Sequence, residues 1–138
     1  MQRIVIDTNV IVSSLIQRGY PNLIINNLFI EQKFQLCISD ELLAEYYEVL
    51  ARPKFSKFQN FFIRAEALLV EIEAKATKYV PTITLDLIAD DDDNMILELA
   101  HECLANFVIK LGLNFMRYNF AQFHSGTLNI NMDQSCNG

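Results

Sequence analysis

Residues 1–12, MQRIVIDTNVIV, decide the fold. Ile4, Val5 and Ile6 form an apolar run without alternation, the pattern of a strand buried on both faces of a sheet. The run ends in one carboxylate, Asp7, followed by Thr8, Asn9 and the apolar Val10, Ile11 and Val12. In α/β sheets the carboxyl edge of the strands is where ligand sites form. Asp7 therefore has two readings. It caps the turn or helix that follows, or it is a functional carboxylate.

Working outward, the connection 13–22 carries Gly19 and Pro21, and Pro21 suits the start of a helix over 22–31. FQLCI at 34–38 reads as a second strand. Ser39 then reads as an N-cap, with Asp40 and Glu41 in the first turn where the helix dipole favours acids. That helix extends to about residue 51 and stops at Arg52-Pro53. Residues 54–77 read as helix in two pieces, with Phe55, Phe58, Phe61 and Phe62 clustered in the first part. Pro81 makes 78–85 an edge or crossover segment. Asp90-Asp91-Asp92-Asp93 precede a helix over 94–104, and 107–109 is a further inner strand. A last short strand is expected at 127–130, and 131–138 has nothing to bury and is expected to fray. Strands alternating with helices predict a mainly parallel sheet covered on both faces.

Bulk properties bound the function. The chain has 138 residues, 51% of them hydrophobic and 20% charged, which suits one domain with a sizeable core. Its net charge of −6 excludes a broad basic surface of the kind that holds duplex DNA through its phosphates. No uncharged apolar run is long enough to span a bilayer, and no leader pattern precedes the first strand. Cys37, Cys103 and Cys136 form no CxxC. With the first two in apolar runs, a reducing cytoplasm is the simplest compartment.

Chemistry is concentrated in carboxylates. A hard divalent cation takes oxygen ligands, commonly one or two carboxylates with waters. Asp7 ends the first strand, Glu45 lies inside the helix after the second, and Asp93 opens the helix before the next inner strand. Asp93 reaches the edge shared by the other two only if its loop crosses there. Four adjacent aspartates repel one another, and a bound cation relieves that repulsion. Helix capping and solvated surface charge are the competing explanation. No P-loop, dinucleotide fingerprint, HExxH or EF-hand loop occurs, and His101 and His124 share no ligand spacing.

Three blocks in order carry a resemblance: IVIDTNVIVSSL (4–15), SDELLAEYYEVLARPKF (39–55), and DDDDNMILELA (90–100) followed by ANFVI (105–109). Together they resemble a PIN domain, and more narrowly the bacterial branch of toxin components of toxin–antitoxin systems. The resemblance implies a three-layer α/β fold with a mainly parallel four- to five-stranded sheet flanked by helices, over a single domain 1–130. It implies a metal-dependent endoribonuclease using Mg²⁺ or Mn²⁺, with Asp7, Glu45 and Asp93 as catalytic metal ligands and Asp90 assisting. Asn9 and Ser13 match small polar residues that position the loop or a water. RNA is the implied substrate, and an antitoxin protein with a basic segment the implied partner.

After Ile109 the chain departs from the family. A threonine, a glycine and an acidic or amide residue are expected, and this chain reads Lys110-Leu111-Gly112-Leu113-Asn114-Phe115. Asn114 is the nearest substitute for the missing group. The departure raises the alternative of a catalytically impaired fold acting as a protein- or RNA-binding module. The phenylalanines at 55–62, if exposed together, imply a homodimer.

Overall fold

The first strand, β1 (Arg3–Ile6), lies in the middle of the sheet, and Ile4, Val5 and Ile6 are all buried. Successive side chains of a strand point to opposite faces, so burial of three in a row means that both faces are covered. A computed structural model describes residues 1–17, 19–84, 91–111, 115–118 and 132–134.

After β1 come α1 (Thr8–Ile16), the short α2 (Tyr20–Leu23) and a wide helical turn, Ile24–Phe29. The helix expected over 22–31 thus begins at Tyr20, one residue before the proline, and loosens into that wider turn. Strand β2 (Gln35–Ile38) is followed by α3 (Asp40–Leu50). Ser39 caps α3 as its side chain predicts, accepting from the Leu42 N–H at 3.2 Å. A 3₁₀ turn (Pro53–Lys57), α4 (Phe61–Lys75) and the edge strand β3 (Thr77–Lys78) come next. Helix α5 (Asp91–Cys103) then leads to β4 (Phe107–Leu111), β5 (Phe115–Tyr118) and β6 (Met132–Gln134).

The sheet order is β3-β2-β1-β4-β5-β6. β3, β2, β1 and β4 are parallel, which is the mainly parallel α/β sheet expected, flanked by helices. β5 and β6 extend this four-strand parallel sheet by two antiparallel strands, six in all among the described residues. Met132–Gln134 falls in the stretch expected to fray, yet it pairs with β5 and thereby satisfies its backbone. The strand expected at 127–130 lies outside the described residues.

The chain leaves β1 on one side toward β2 and β3, then returns through α5 to β4 on the other side. The crevice beyond the carboxyl ends of β1 and β4 is therefore the topological switch point, where open α/β sheets bind ligands. α5 delivers its C-terminus to the start of β4, where the Asn106 N–H donates to the Arg3 carbonyl at 2.8 Å. It packs on β1, β2 and β4. At about 1.5 Å per residue it is roughly 20 Å long, enough to carry its first turn back across the sheet to the carboxyl edge.

At the far end of α1, the Arg64 guanidinium on α4 donates to the Leu15 carbonyl at 2.9 Å, and the Asn22 amide donates to the Ser14 carbonyl at 3.0 Å. These bonds satisfy terminal carbonyls that a helix leaves orphaned and so fix α1, with Asp7 and Thr8 at its other end. The phenylalanine cluster is mainly core. Phe55 and Phe61 are buried and stacked with centroids 4.6 Å apart, while Phe62 stands edge-on to Phe61 at 5.6 Å. The single open aromatic patch on which the homodimer expectation rested is not formed, because packing the 3₁₀ turn against α4 consumes half of it. Among the described residues no helix is long and apolar enough to cross a membrane.

Candidate functional site

Asp7 occupies the N-cap position of α1 with extended backbone, and it is only 8% exposed. Its carbonyl accepts from the N–H groups of Val10 and Ile11 at 3.0 and 3.4 Å. Its carboxylate makes no capping hydrogen bond. The capping reading of Asp7 therefore holds for the backbone alone and leaves the carboxylate's place at the switch point unexplained by helix formation. The Asp7 N–H donates to the Ile109 carbonyl at 2.9 Å, tying the residue to β4.

Glu45 lies in the second turn of α3 and is half-buried rather than solvated. Thr8, itself buried, donates its hydroxyl to Glu45 Oε2. Glu45 is thereby drawn to the residue beside Asp7, across thirty-seven positions of sequence. The next residue on α3, Tyr46, is fully buried and donates its hydroxyl to the Ile6 carbonyl. Burial, and then the negative charges of Asp7 and Glu45, push the Tyr46 hydroxyl well above the ordinary tyrosine range. It remains a neutral donor, and the two carboxylates both act on it electrostatically.

Asp93 belongs to the first turn of α5, and Asn94 directly after it is buried. The side chain of Asp93 lies outside the described residues, as do Asp90 and Asn114 altogether. Asn9 and Ser13 are both on α1, Asn9 exposed and Ser13 half-buried. Among the described residues no three Asp, Glu, His or Cys side chains gather as a metal-holding group. That set contains Asp7 and Glu45 without the third carboxylate. The donors it does contain, two carboxylates at a sheet edge, are the oxygen type that hard divalent cations take.

Thr8 and Tyr46 were given no role from sequence. For Thr8 the available signal was a hydroxyl directly after the strand-ending acid. For Tyr46 there was none beyond an apolar helix face, since its hydroxyl's destination depends on how α3 lies on β1.

Comparisons with known proteins agree with this architecture. Residues 3–110 match the PIN domain family, a span that begins with β1 and ends within β4. "Uncharacterized protein MJ1680" from Methanocaldococcus jannaschii is 30% identical over 104 residues, covering 75% of this chain and 66% of that protein. The matched part thus spans just under two thirds of this relative's length. No solved structure matches the chain. The PIN domain is a nuclease-type fold whose members generally use divalent metals, and its match takes in Asp7, Glu45 and Asp93 together. On the strength of that match over most of its length, the chain belongs to the PIN domain family.

Proposed function

We propose that the protein is a metal-dependent endoribonuclease that hydrolyses RNA phosphodiesters, acting as the toxin of a toxin–antitoxin pair. The observation that carries the nuclease reading is the Thr8–Glu45 hydrogen bond, which brings a helix carboxylate to the residue beside Asp7 at the switch point of a PIN-family sheet. Asp7, Glu45 and Asp93, with Asp90 assisting, would hold Mg²⁺ or Mn²⁺. When bound, such an ion lowers the energy needed to generate hydroxide and offsets the charge gathering on the phosphate.

The protein's own groups do the positioning. Thr8 fixes the rotamer of Glu45. Tyr46 locks α3 to the last residue of β1, so Asp7 and Glu45 keep their relation. Asn9 and Ser13, one turn apart on α1, would orient the loop or a water. The net charge of −6 gives weak background attraction for RNA, so turnover should be slow and sensitive to salt. The same charge suits an antitoxin segment that inserts an Arg or Lys among the carboxylates. Phe62, Ile63 and Val70, exposed along α4, are the surface we assign to a homodimer.

Titration of Mn²⁺ into wild type, Asp93→Asn and Asp91→Asn, with RNA hydrolysis measured alongside, tests the nuclease reading. Wild type and Asp91→Asn should bind and cleave, and Asp93→Asn should lose both while staying folded. Equal affinities in all three would remove Asp93 from the site. Absence of binding in wild type would favour the other reading, a PIN fold that binds protein or RNA without catalysis. The specific observation behind that second reading is Lys110 at the end of β4, where the family places a neutral threonine.

A further inference from the structure

Lys110 stands at the switch point itself. β1 and β4 run in parallel register with Val5 opposite Val108 and Ile6 opposite Ile109. The Asp7 N–H donates to the Ile109 carbonyl at 2.9 Å, the bond that carries the parallel register one step further and sets Asp7 beside Lys110. Side chains alternate with period two along a strand. Asp7 and Lys110, each two steps beyond the fully buried Val5 and Val108, fall on the same face of adjacent strands. Neighbouring strands lie about 4.8 Å apart. β4 is an inner strand, flanked by β1 and β5, and Lys110 is half-buried in it. A lysine there is unfavourable unless an opposite charge compensates it.

We propose that Lys110 is the built-in cation of this site, a positioning residue whose charge offsets Asp7 and its neighbouring carboxylates. It keeps the acidic edge folded when no metal is bound, and it competes electrostatically with the divalent ion. The inference rests on the carboxylate-site reading above, and it adds a residue that sets the site's metal affinity. It also gives the departure at Lys110 a physical purpose, because one fixed positive charge does part of the neutralisation that a metal ion would otherwise supply.

The test uses the full chain with Lys110→Met, Lys110→Arg, Asp7→Asn and the double variant Asp7→Asn with Lys110→Met. Two readouts apply: Mn²⁺ affinity by calorimetry, and stability of the metal-free protein in urea. Lys110→Met should bind Mn²⁺ roughly tenfold more tightly, the effect of removing one unit charge at about 5 Å in a partly hydrated site. Lys110→Arg should keep wild-type affinity. Without metal, the two single substitutions should be non-additive, because either one removes the pair. Additive stabilities together with unchanged Mn²⁺ affinity would overturn the proposal. Weaker Mn²⁺ binding in Lys110→Met would overturn it too, since the lysine would then be supporting the ligands rather than competing. Should Lys110→Met fail to fold, Lys110→Gln takes its place with the same expectations. If wild type binds no Mn²⁺, the metal reading fails on its own, and the metal-free cycle still decides whether Lys110 and Asp7 are coupled.

Discussion

Tyr46 on α3 donates its hydroxyl to the carbonyl of Ile6, the last residue of the central strand. This one bond joins the helix that carries Glu45 to the strand that carries Asp7, inside a fully buried environment. Tyr46→Phe keeps the ring and removes only the donor. A loss of roughly 1–2 kcal/mol is expected, a hydrogen bond plus a buried acceptor left underused. Urea unfolding of the two proteins checks it, and equal midpoints would mean that the bond contributes nothing.

Alkaline stability follows from the same residue. The folded pKa of Tyr46 is raised above the ordinary value of 10.0, so the folded state holds the proton more tightly than the unfolded state. Its contribution is complete below pH 10 and is lost as pH rises beyond that value toward the folded pKa. Stability from urea melts at increasing pH should fall above about pH 10, and the fall should be shallower in Tyr46→Phe.

Thr8→Val removes the donor to Glu45 at nearly constant volume. The carboxylate then loses its fixed rotamer, and Mn²⁺ affinity should fall several-fold while the protein stays folded. Thr8→Ser should recover most of the affinity, because it restores the hydroxyl. Calorimetry on the three proteins reads the difference. Identical affinities would show that Glu45 is held without Thr8, or does not bind metal.

Val5→Asp places a carboxylate at the centre of the sheet in a fully buried position. Burying an unpaired charge there costs more than the total stability of a domain of this size. No soluble folded protein is expected, as judged by gel filtration and circular dichroism.

Phe61 and Phe62 are neighbours with opposite environments, 1% and 41% exposed. Phe61→Ala opens a cavity against Phe55 and should destabilise by about 3–5 kcal/mol. Phe62→Ala should shift stability by less than about 1 kcal/mol. If the exposed α4 face forms a homodimer, Phe62→Ala should instead weaken self-association in sedimentation at micromolar concentration.

Local sequence determined much of this protein. The unbroken apolar run Ile4–Ile6 specifies a strand buried on both faces, because only a central strand can bury consecutive residues. Ser39 with Asp40 and Glu41 specifies where α3 starts, since a hydroxyl acceptor and helix-dipole charges act within one turn. Asp7 and Glu45 stand out as candidates because carboxylates are conspicuous at a strand end and within an amphipathic helix. Tertiary structure alone decided that Glu45 turns to Thr8 and that Tyr46 reaches Ile6. Both contacts span about forty residues and depend on the angle at which α3 lies on β1. It also decided that Phe55 and Phe61 belong to the core, since helical spacing describes a face without saying what covers it. The pairing of Met132–Gln134 with Phe115–Tyr118 is of the same kind: a polar segment becomes a strand because a neighbouring edge offers it backbone partners. And it decided the adjacency of Asp7 and Lys110, residues from the two ends of the matched span, through the parallel register of β1 and β4. Register is a long-range property, fixed by hydrogen bonds between strands that the chain meets a hundred residues apart.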